Sequence, residues 1–464
     1  MTDDPVTDAF EAAVFKAYDI RGLVPDEING TLARAVGSAF VQVLSAEGPV
    51  TGVVIGYDMR PSSPELAESF ASGAAVHGVD VTIIGLASTD ELYFASGLLD
   101  VPGAMFTASH NPAQYNGIKL CRAGAAPVGR DSGLSEIATL AAAEFDAPSV
   151  STRAPGDIHH RDLLAQYSSY LHELVDVTEI RPLRVVVDAG NGMAGLTVPA
   201  VLADLPLTVV PLYFELDGTF PNHEANPIEP ANLRDLQAAV LEHGADLGLA
   251  FDGDADRCFV VDEQGGVVSP SVLTALIAAR ELARVPGSTV IHNLITSRTV
   301  AEVVRENGGT PVRTRVGHSF IKQVMAETDA VFGGEHSGHF YFRDFWRADS
   351  GMLAALHTLA ALGGQPQPLS VLLADYDRYA ASGEVNSTVH DQAAATELVR
   401  AAFADRAGVT TDDLDGLTVS AADWWFNLRP SNTEPLLRLN VEARDVDTMS
   451  ALRDEVLSLI RGAA

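Results

Sequence analysis

The stretch LGLAFDGDADR closes an apolar run with three alternating acids, Asp252, Asp254 and Asp256, followed at once by Arg257. Three carboxylates held close together repel one another unless a divalent cation binds, and an all-oxygen donor set favours magnesium. On an extended loop, alternate side chains point to one side, which would bring the three together. The plain alternative is a solvated acidic turn. An EF-hand calcium loop needs glycine at its sixth position, where this chain has Arg257 followed by the strand-like CFVV, so that reading fails.

A second stretch, FTASHNPAQYNGIKL, sets Ser109 beside His110 at the end of an apolar run and then breaks at Asn-Pro. If the chain is extended there, the two side chains face opposite ways and cannot serve each other as nucleophile and base. The G-x-S-x-G signature of a nucleophile elbow is also absent. Beside a magnesium loop, however, Ser109 makes sense as a phosphoryl carrier whose phosphate oxygen completes the metal shell, with Arg257 close to the transferring group. Lys119, in the same stretch, is one of three lysines in the chain. A haloacid-dehalogenase-type phosphotransferase would instead make Asp252 the nucleophile and leave Ser109 without a role.

Further loops offer complementary groups. RTRVGHS carries His318, and VFGGEHSGHFYF carries Glu335, Ser337 and His339. Glu and Ser form a good pair for vicinal sugar hydroxyls, because a carboxylate accepts and a hydroxyl does either. NLRPSNTEP clusters Arg429, Ser431, Asn432 and Thr433, a guanidinium, hydroxyls and an amide suited to a phosphate dianion. RVVVDAGNGMAG matches the G-x-G-x-x-G of a dinucleotide site, with Glu215 about twenty residues on. Asp188 and Asn191 put polar side chains where a pyrophosphate would approach, so a structural turn is the better reading.

The elements that must position these loops are those of a multidomain chain, since 464 residues exceed what one hydrophobic core organises. A helix, a glycine and a short apolar strand recur in PELAESFASGAAVHGVDVTIIG, NLRDLQAAVLEHGADLGLAFDGDADR and SRTVAEVVRENGGTPVRTRVGHS. This predicts buried strands in parallel or mixed sheets covered by helices. The fold class expected is three tandem α/β domains, 1–152, 153–264 and 265–370, followed by an α+β domain over 371–464. In that last domain the sequence predicts strand EVNSTV, helix AAATELVRAAFADR, strands LTVSAADWWFNLRP and PLLRLNVEAR, and helix DTMSALRDEVLSLIRG. Ligands of open α/β sheets bind beyond the strands' carboxyl ends, where the acidic and serine motifs fall.

Composition limits partners. A formal net charge of −32 argues against nucleic acid and anionic membranes, while a phosphorylated metabolite can bind wherever the few cations gather. No apolar run reaches the length of a membrane span, and the start MTDDPVTDAF has no signal-peptide pattern, which predicts a cytoplasmic protein. Cys121 and Cys258 belong to no paired spacing and read as small buried hydrophobes.

Taken together and in order, TASHNP, DGDADR, GEHSGH and RPSNTEP, with an opening FKAYDIRG, resemble the α-D-phosphohexomutase superfamily over nearly the whole chain. The branch most similar is bacterial phosphomannomutase, with phosphoglucomutase activity an alternative. The resemblance implies a heart-shaped enzyme with a central cleft, monomeric or homodimeric, that interconverts hexose 6-phosphates and 1-phosphates through phospho-Ser109 and a hexose 1,6-bisphosphate, which also serves as activator. Mannose phosphates would place it in GDP-mannose supply. It implies Mg²⁺ on Ser109, Asp252, Asp254 and Asp256, and transfer assisted by Arg257. Glu335 and Ser337 would contact the sugar O3 and O4, and Arg429, Ser431, Asn432 and Thr433 the non-reacting phosphate. Arg21, Lys119, His318 and His339 match positions for binding or proton transfer. The chain departs from dual-specificity relatives at Ile295, where they carry a lysine; Arg298 is the nearby cation that could compensate. GEHSGH differs from the GEESA of dedicated glucose enzymes, and DGDADR from the DGDGDR of phosphoglucosamine mutases, the remaining alternatives along with an NAD-binding oxidoreductase.

Overall fold

The computed structural model describes residues 14–147, 154–430 and 436–462. It divides into two compact units, Met1–Ser269 with Ser337–Ser370, and Pro270–His336 with Val371–Ala464. Three α/β domains and a final α+β domain follow one another along the chain, as expected.

The first domain builds its sheet from β1 (Ile20–Leu23), β2 (Gly52–Tyr57), β3 (Asp80–Leu86), β4 (Gly103–Phe106) and β5 (Tyr115–Arg122), with the short β6 (Ala126–Pro127) on β5. The order is β1-β5-β4-β2-β3, parallel from β4 to β3 and antiparallel at β5 and β1. A strand beyond the expected boundary at 152, β7 (Ile158–His160), extends the sheet in parallel with β3. Helices α1 (Gly30–Glu47), α2 (Ser63–Ala75), α3 (Thr89–Leu99) and α4 (Leu134–Asp146) accompany these strands. Asn29 caps α1 and Ser88 caps α3, each side chain accepting from a backbone N–H of the first turn, as orphaned donors there require.

In the second domain α5 (Leu164–Leu174) leads to β8 (Leu183–Asp188), α6 (Ala194–Leu202), β9 (Leu207–Leu212), α7 (Arg234–His243), β10 (Leu247–Phe251), β11 (Cys258–Asp262) and β12 (Val267–Val268). Its sheet runs β12-β11-β10-β8-β9. Every residue of β10 is buried, which explains its unbroken apolar run, and the chain leaves it directly into the aspartate loop.

The second unit begins with α8 (Pro270–Arg284), β13 (Thr289–Asn293), α9 (Arg298–Glu306), β14 (Thr310–Thr314), α10 (His318–Thr328) and β15 (Phe332–Gly334); β13 pairs in parallel with both β14 and β15. The expectation that the strand of SRTVAEVVRENGGTPVRTRVGHS is buried fails. β14 is an edge strand with Thr310 and Arg313 exposed, so only one side of its backbone is paired. The chain returns to the first unit with the antiparallel pair β16 (Phe340–Phe342) and β17 (Ala348–Asp349) and with α11 (Gly351–Gly363).

The last domain is the fully antiparallel sheet β18 (Ala380–Thr388), β22 (Leu436–Ala443), β21 (Trp424–Pro430), β20 (Leu417–Ser420), β19 (Thr410–Asp412), in that spatial order. Two helices, α12 (Gln392–Ala404) and α13 (Val446–Gly462), share a core with one face of it. LTVSAADWWFNLRP is two strands rather than one. The backbone turns at Ala421–Asp423, where the N–H of Ala421 donates to the Trp424 carbonyl at 2.8 Å.

Among the described residues no helix is long and apolar enough to cross a membrane. Cys121 and Cys258 are both buried, and no disulfide joins them.

Candidate active site

The loop after β10 brings Asp252, Asp254 and Asp256 together, with one carboxylate oxygen from each lying within 4.8 Å of the others. They converge by a turn rather than by extended alternation, since Ala255 is left-handed at φ 59. Gly253 is needed for close approach: a Cβ there would sit 2.5 Å from the Ser109 carbonyl. The loop after β4 thus lies directly against the loop after β10.

Ser109 itself is left-handed at φ 50, so the premise that it is extended beside His110 is wrong. Its Oγ lies 3.2 Å from His110 Nδ1, donates to Asp252 Oδ2 at 2.7 Å, and accepts from Arg257 Nη2 at 3.2 Å. Thr107 Oγ1 accepts from the Ser109 N–H at 2.8 Å and holds the strained residue. Burial, together with the nearby Arg257 and Arg21 guanidiniums, pushes His110 down to about 2. The Ser109–His110 contact is thus geometrically present, while burial and the two guanidiniums weaken His110 as a base for it.

Arg257 is buried and donates to Asp252 Oδ2 from Nε at 2.9 Å and from Nη2 at 2.7 Å; its Nη2 also reaches His110. Lys119 Nζ bridges Asp254 Oδ2 and Asp256 Oδ2, each at 2.6 Å. Burial raises Asp252, whereas Asp254, also penalised by burial, is carried well below the usual carboxylate range by Lys119. The remaining oxygens, Asp254 Oδ1 and Asp256 Oδ1, are buried without a hydrogen-bond partner among the described residues. Buried carboxylate oxygens left over after Lys119 and Arg257 are satisfied are what a hard cation would coordinate, so the cluster fits a metal ion.

His339 Nε2 lies 3.7 Å from Asp256 Oδ1, and its Nδ1 is 2.9 Å from Ser337 Oγ. Arg21 donates to Asn111 Oδ1 at 2.9 Å and to Asp19 at 2.5 Å. The first unit therefore gathers Ser109, Arg257, Lys119, Arg21, His339 and the three aspartates around one loop pair.

In the second unit, Glu335 is buried at the end of β15 and accepts from the Gly317 N–H at 3.2 Å and Asn293 Nδ2 at 3.4 Å. Arg429, near the end of β21, faces Glu384 at 3.5 Å and Asp415 at 3.7 Å. Ser431, Asn432 and Thr433 lie outside the described residues, as does the side chain of His318 at the start of α10. Arg298 does not compensate for Ile295: its guanidinium is taken up by the carbonyls of Ala421, Ala422 and Trp424 at 2.7–3.3 Å.

Models of phosphoglucomutase/phosphomannomutase α/β/α domains I, II and III match residues 12–147, 165–266 and 270–379, and that of the C-terminal domain matches residues 384–459. The chain belongs to the phosphoglucomutase/phosphomannomutase family. It is 43% identical to a phosphomannomutase of Salmonella montevideo over 454 residues, 96% of this chain and 98% of that one. A protein named for phosphohexose mutases in Xanthomonas campestris pv. campestris is also 43% identical, covering 97% and 99%. A crystal structure of a phosphoglucomutase/phosphomannomutase family protein from Burkholderia thailandensis superposes with a TM-score of 0.87 at 33% identity, covering 97% of each chain.

Within this family member, several residues that sequence reasoning missed shape the site. Arg60 is buried and donates to the carbonyls of Ser109, Asn111, Pro112 and Tyr115 at 2.7–2.9 Å, while its Nε pairs with Asp58 at 3.2 Å. Thr89 Oγ1 donates to Asp254 Oδ2 at 2.6 Å, and its N–H to the Asp254 carbonyl at 3.0 Å. Asp90 accepts from Tyr167 at 2.7 Å and Ser350 at 2.6 Å, tying three segments together behind the loop. A D-x-R directly after a buried strand, at Asp58–Arg60, was the available signal. The glycines of GNGMAG serve packing: a Cβ on Gly192 would lie 2.7 Å from the Gly253 carbonyl, and the Met193 N–H donates to that carbonyl at 2.9 Å. The turn buttresses the aspartate loop and leaves no room for a dinucleotide backbone there.

Proposed function

We propose that this chain is a phosphomannomutase that interconverts mannose 6-phosphate and mannose 1-phosphate through phospho-Ser109. The observation that carries the reading is the Ser109 hydroxyl, held between Asp252 and Arg257 against a buried carboxylate cluster. The relatives' names support the substrate.

Phospho-Ser109 gives its phosphoryl group to the free hydroxyl of the bound hexose phosphate: the serine O–P bond breaks, the sugar O–P bond forms, and the sugar hydroxyl loses its proton. The resulting hexose 1,6-bisphosphate turns over and returns its other phosphoryl group to Ser109. Mg²⁺, held by Asp252, Asp254, Asp256 and the phosphoserine, would supply charge neutralisation when bound. Arg257 spans Asp252 and the serine and stabilises charge on the transferring group, which in phosphoryl transfer is most of the protein's task. Lys119 fixes two of the three carboxylates. The proton-carrier role is assigned to His339, whose Nε2 lies 3.7 Å from Asp256 Oδ1 and whose Nδ1 lies 2.9 Å from Ser337 Oγ. Glu335 and Ser337 would read O3 and O4, and Arg429 with Ser431, Asn432 and Thr433 the distal phosphate. Two buried cysteines outside any disulfide suit a cytoplasmic enzyme.

Glucose and mannose differ only at C2, which none of these groups reads. The test is kcat/KM for mannose 1-phosphate and glucose 1-phosphate with Mg²⁺ and a trace of hexose 1,6-bisphosphate. A clear preference for mannose supports the reading, and a clear preference for glucose overturns it in favour of a phosphoglucomutase.

A further inference from the structure

A cavity of about 440 Å³ in the second unit contains none of the residues placed in the phosphoryl-transfer machinery. It opens between the α9–β14 edge of the third domain and β20 and β21 of the fourth. Three guanidiniums, Arg298, Arg305 and Arg313, line it, with the hydroxyls of Thr418 and Ser420 on the sheet side and Trp425 at its edge. The chain carries 30 basic residues against 62 acidic ones, so three arginines in one cavity run against its composition.

The cations are not cancelled within the cavity. Glu302 is its only acidic wall residue, and that carboxylate is occupied by the Tyr379 hydroxyl at 2.6 Å and Arg378 at 3.3 Å. Arg298 is held by the carbonyls of Ala421 and Ala422 and lies beside the buried Glu442, which accepts from its backbone N–H at 3.0 Å, so Arg305 and Arg313 are the exchangeable cations of the cavity. Arg313 meets Asp412 at 2.6 Å on the rim, with both side chains more than a third exposed, so the pair is readily exchanged for a stronger anion. Arg305 makes one hydrogen bond among the described residues, to the Ala301 carbonyl at 3.3 Å. His292, on the wall, is pushed down to about 4, chiefly by burial and further by Arg313 and Arg305.

We propose that this cavity is a second anion site, for a small metabolite carrying two phosphate groups or a diphosphate, separate from the site of phosphoryl transfer. Its size is that of ligand pockets, and the two exposed guanidiniums, Arg305 and Arg313, with the Thr418 and Ser420 hydroxyls suit a multiply charged phosphate better than a single carboxylate. An occupant would brace α9 and β14 against β20 and β21. The inference stands whether or not the substrate is mannose.

Inorganic pyrophosphate is the probe. Equilibrium dialysis and tryptophan emission would be compared between the wild-type chain and the double variant Arg305→Ala, Arg313→Ala, whose exposed side chains can be removed without opening the core. The wild type should bind one more equivalent than the variant and show a saturable change in emission. The variant's affinity for that equivalent should fall about tenfold or more, as expected for losing charge-assisted contacts, with unchanged mutase activity in the absence of pyrophosphate. Equal binding by both proteins, or no saturable binding by the wild type, would overturn the proposal. So would a loss of basal activity in the variant with binding intact.

Discussion

The loop pair around Ser109 and the arginine-bearing surfaces of the last domain solve opposite electrostatic problems. Around Ser109 three buried aspartates are closely paired with Arg257 and Lys119, and Asp254 Oδ1 and Asp256 Oδ1 keep no hydrogen bond among the described residues. Around Arg429 the carboxylate neighbours among the described residues are loose, Glu384 at 3.5 Å and Asp415 at 3.7 Å. The difference matches two tasks. In the proposed roles, a reacting centre gains from donors fixed before the reaction begins, whereas a group proposed to take either end of a turning bisphosphate gains from charge that is easily exchanged. Substitutions in the first region should therefore act on kcat or on folding, and those in the second on KM.

The largest effect expected is from Ser109→Ala, which removes the proposed phosphoryl carrier. Steady-state assays should show kcat lower by roughly 10⁴-fold or more, with circular dichroism unchanged. Arg60→Ala probes rigidity instead. It strips four carbonyls of the Ser109 loop of their donor and leaves Asp58 buried without its guanidinium, so chemical denaturation should report a loss of about 3–5 kcal/mol. Arg429→Ala should sharpen the contrast by raising KM about 10- to 100-fold, with a smaller change in kcat, as loss of a charge-assisted phosphate contact implies. A larger fall in kcat than rise in KM would break it.

The smallest effect concerns Glu91, buried in the first turn of α3 and pushed up to about 8 by burial, next to Asp90. A carboxyl whose folded value is raised adds stability below its ordinary range and loses it as pH climbs through the folded value. Glu91→Gln should leave the melting temperature nearly unchanged at acidic pH and raise it by a few degrees near pH 8, an effect on the order of 1 kcal/mol. Parallel melting curves for the two proteins across that range would contradict it.

The sequence made the aspartate loop and Ser109 legible because each motif is a few contiguous residues after an apolar strand, where local spacing implies proximity. The partners of Arg60 and Thr89 were not legible, although the D-x-R at Asp58–Arg60 marked a strand end worth inspecting. These partners lie 49–55 and 165 residues away, and an arginine before a proline reads as an ordinary strand end until the fold closes over it. The left-handed turn at Ser109 escaped for a related reason. Nothing in TASHNP demands positive φ, and the conformation is held by Thr107 and by carbonyl contacts from Arg60. The exposed edge of β14 was hidden because Pro311 and Val312 mimic a buried run, while pairing on one side only follows from the sheet order.

The account rests on Ser109 carrying the phosphoryl group. Intact-mass and peptide mass spectrometry after incubation with glucose 1,6-bisphosphate and Mg²⁺ test this directly. A mass gain of one phosphoryl group on the peptide containing Ser109, lost on adding excess hexose monophosphate, is the predicted result. Phosphorylation on Asp252 instead, or turnover with no labelled serine, would contradict it.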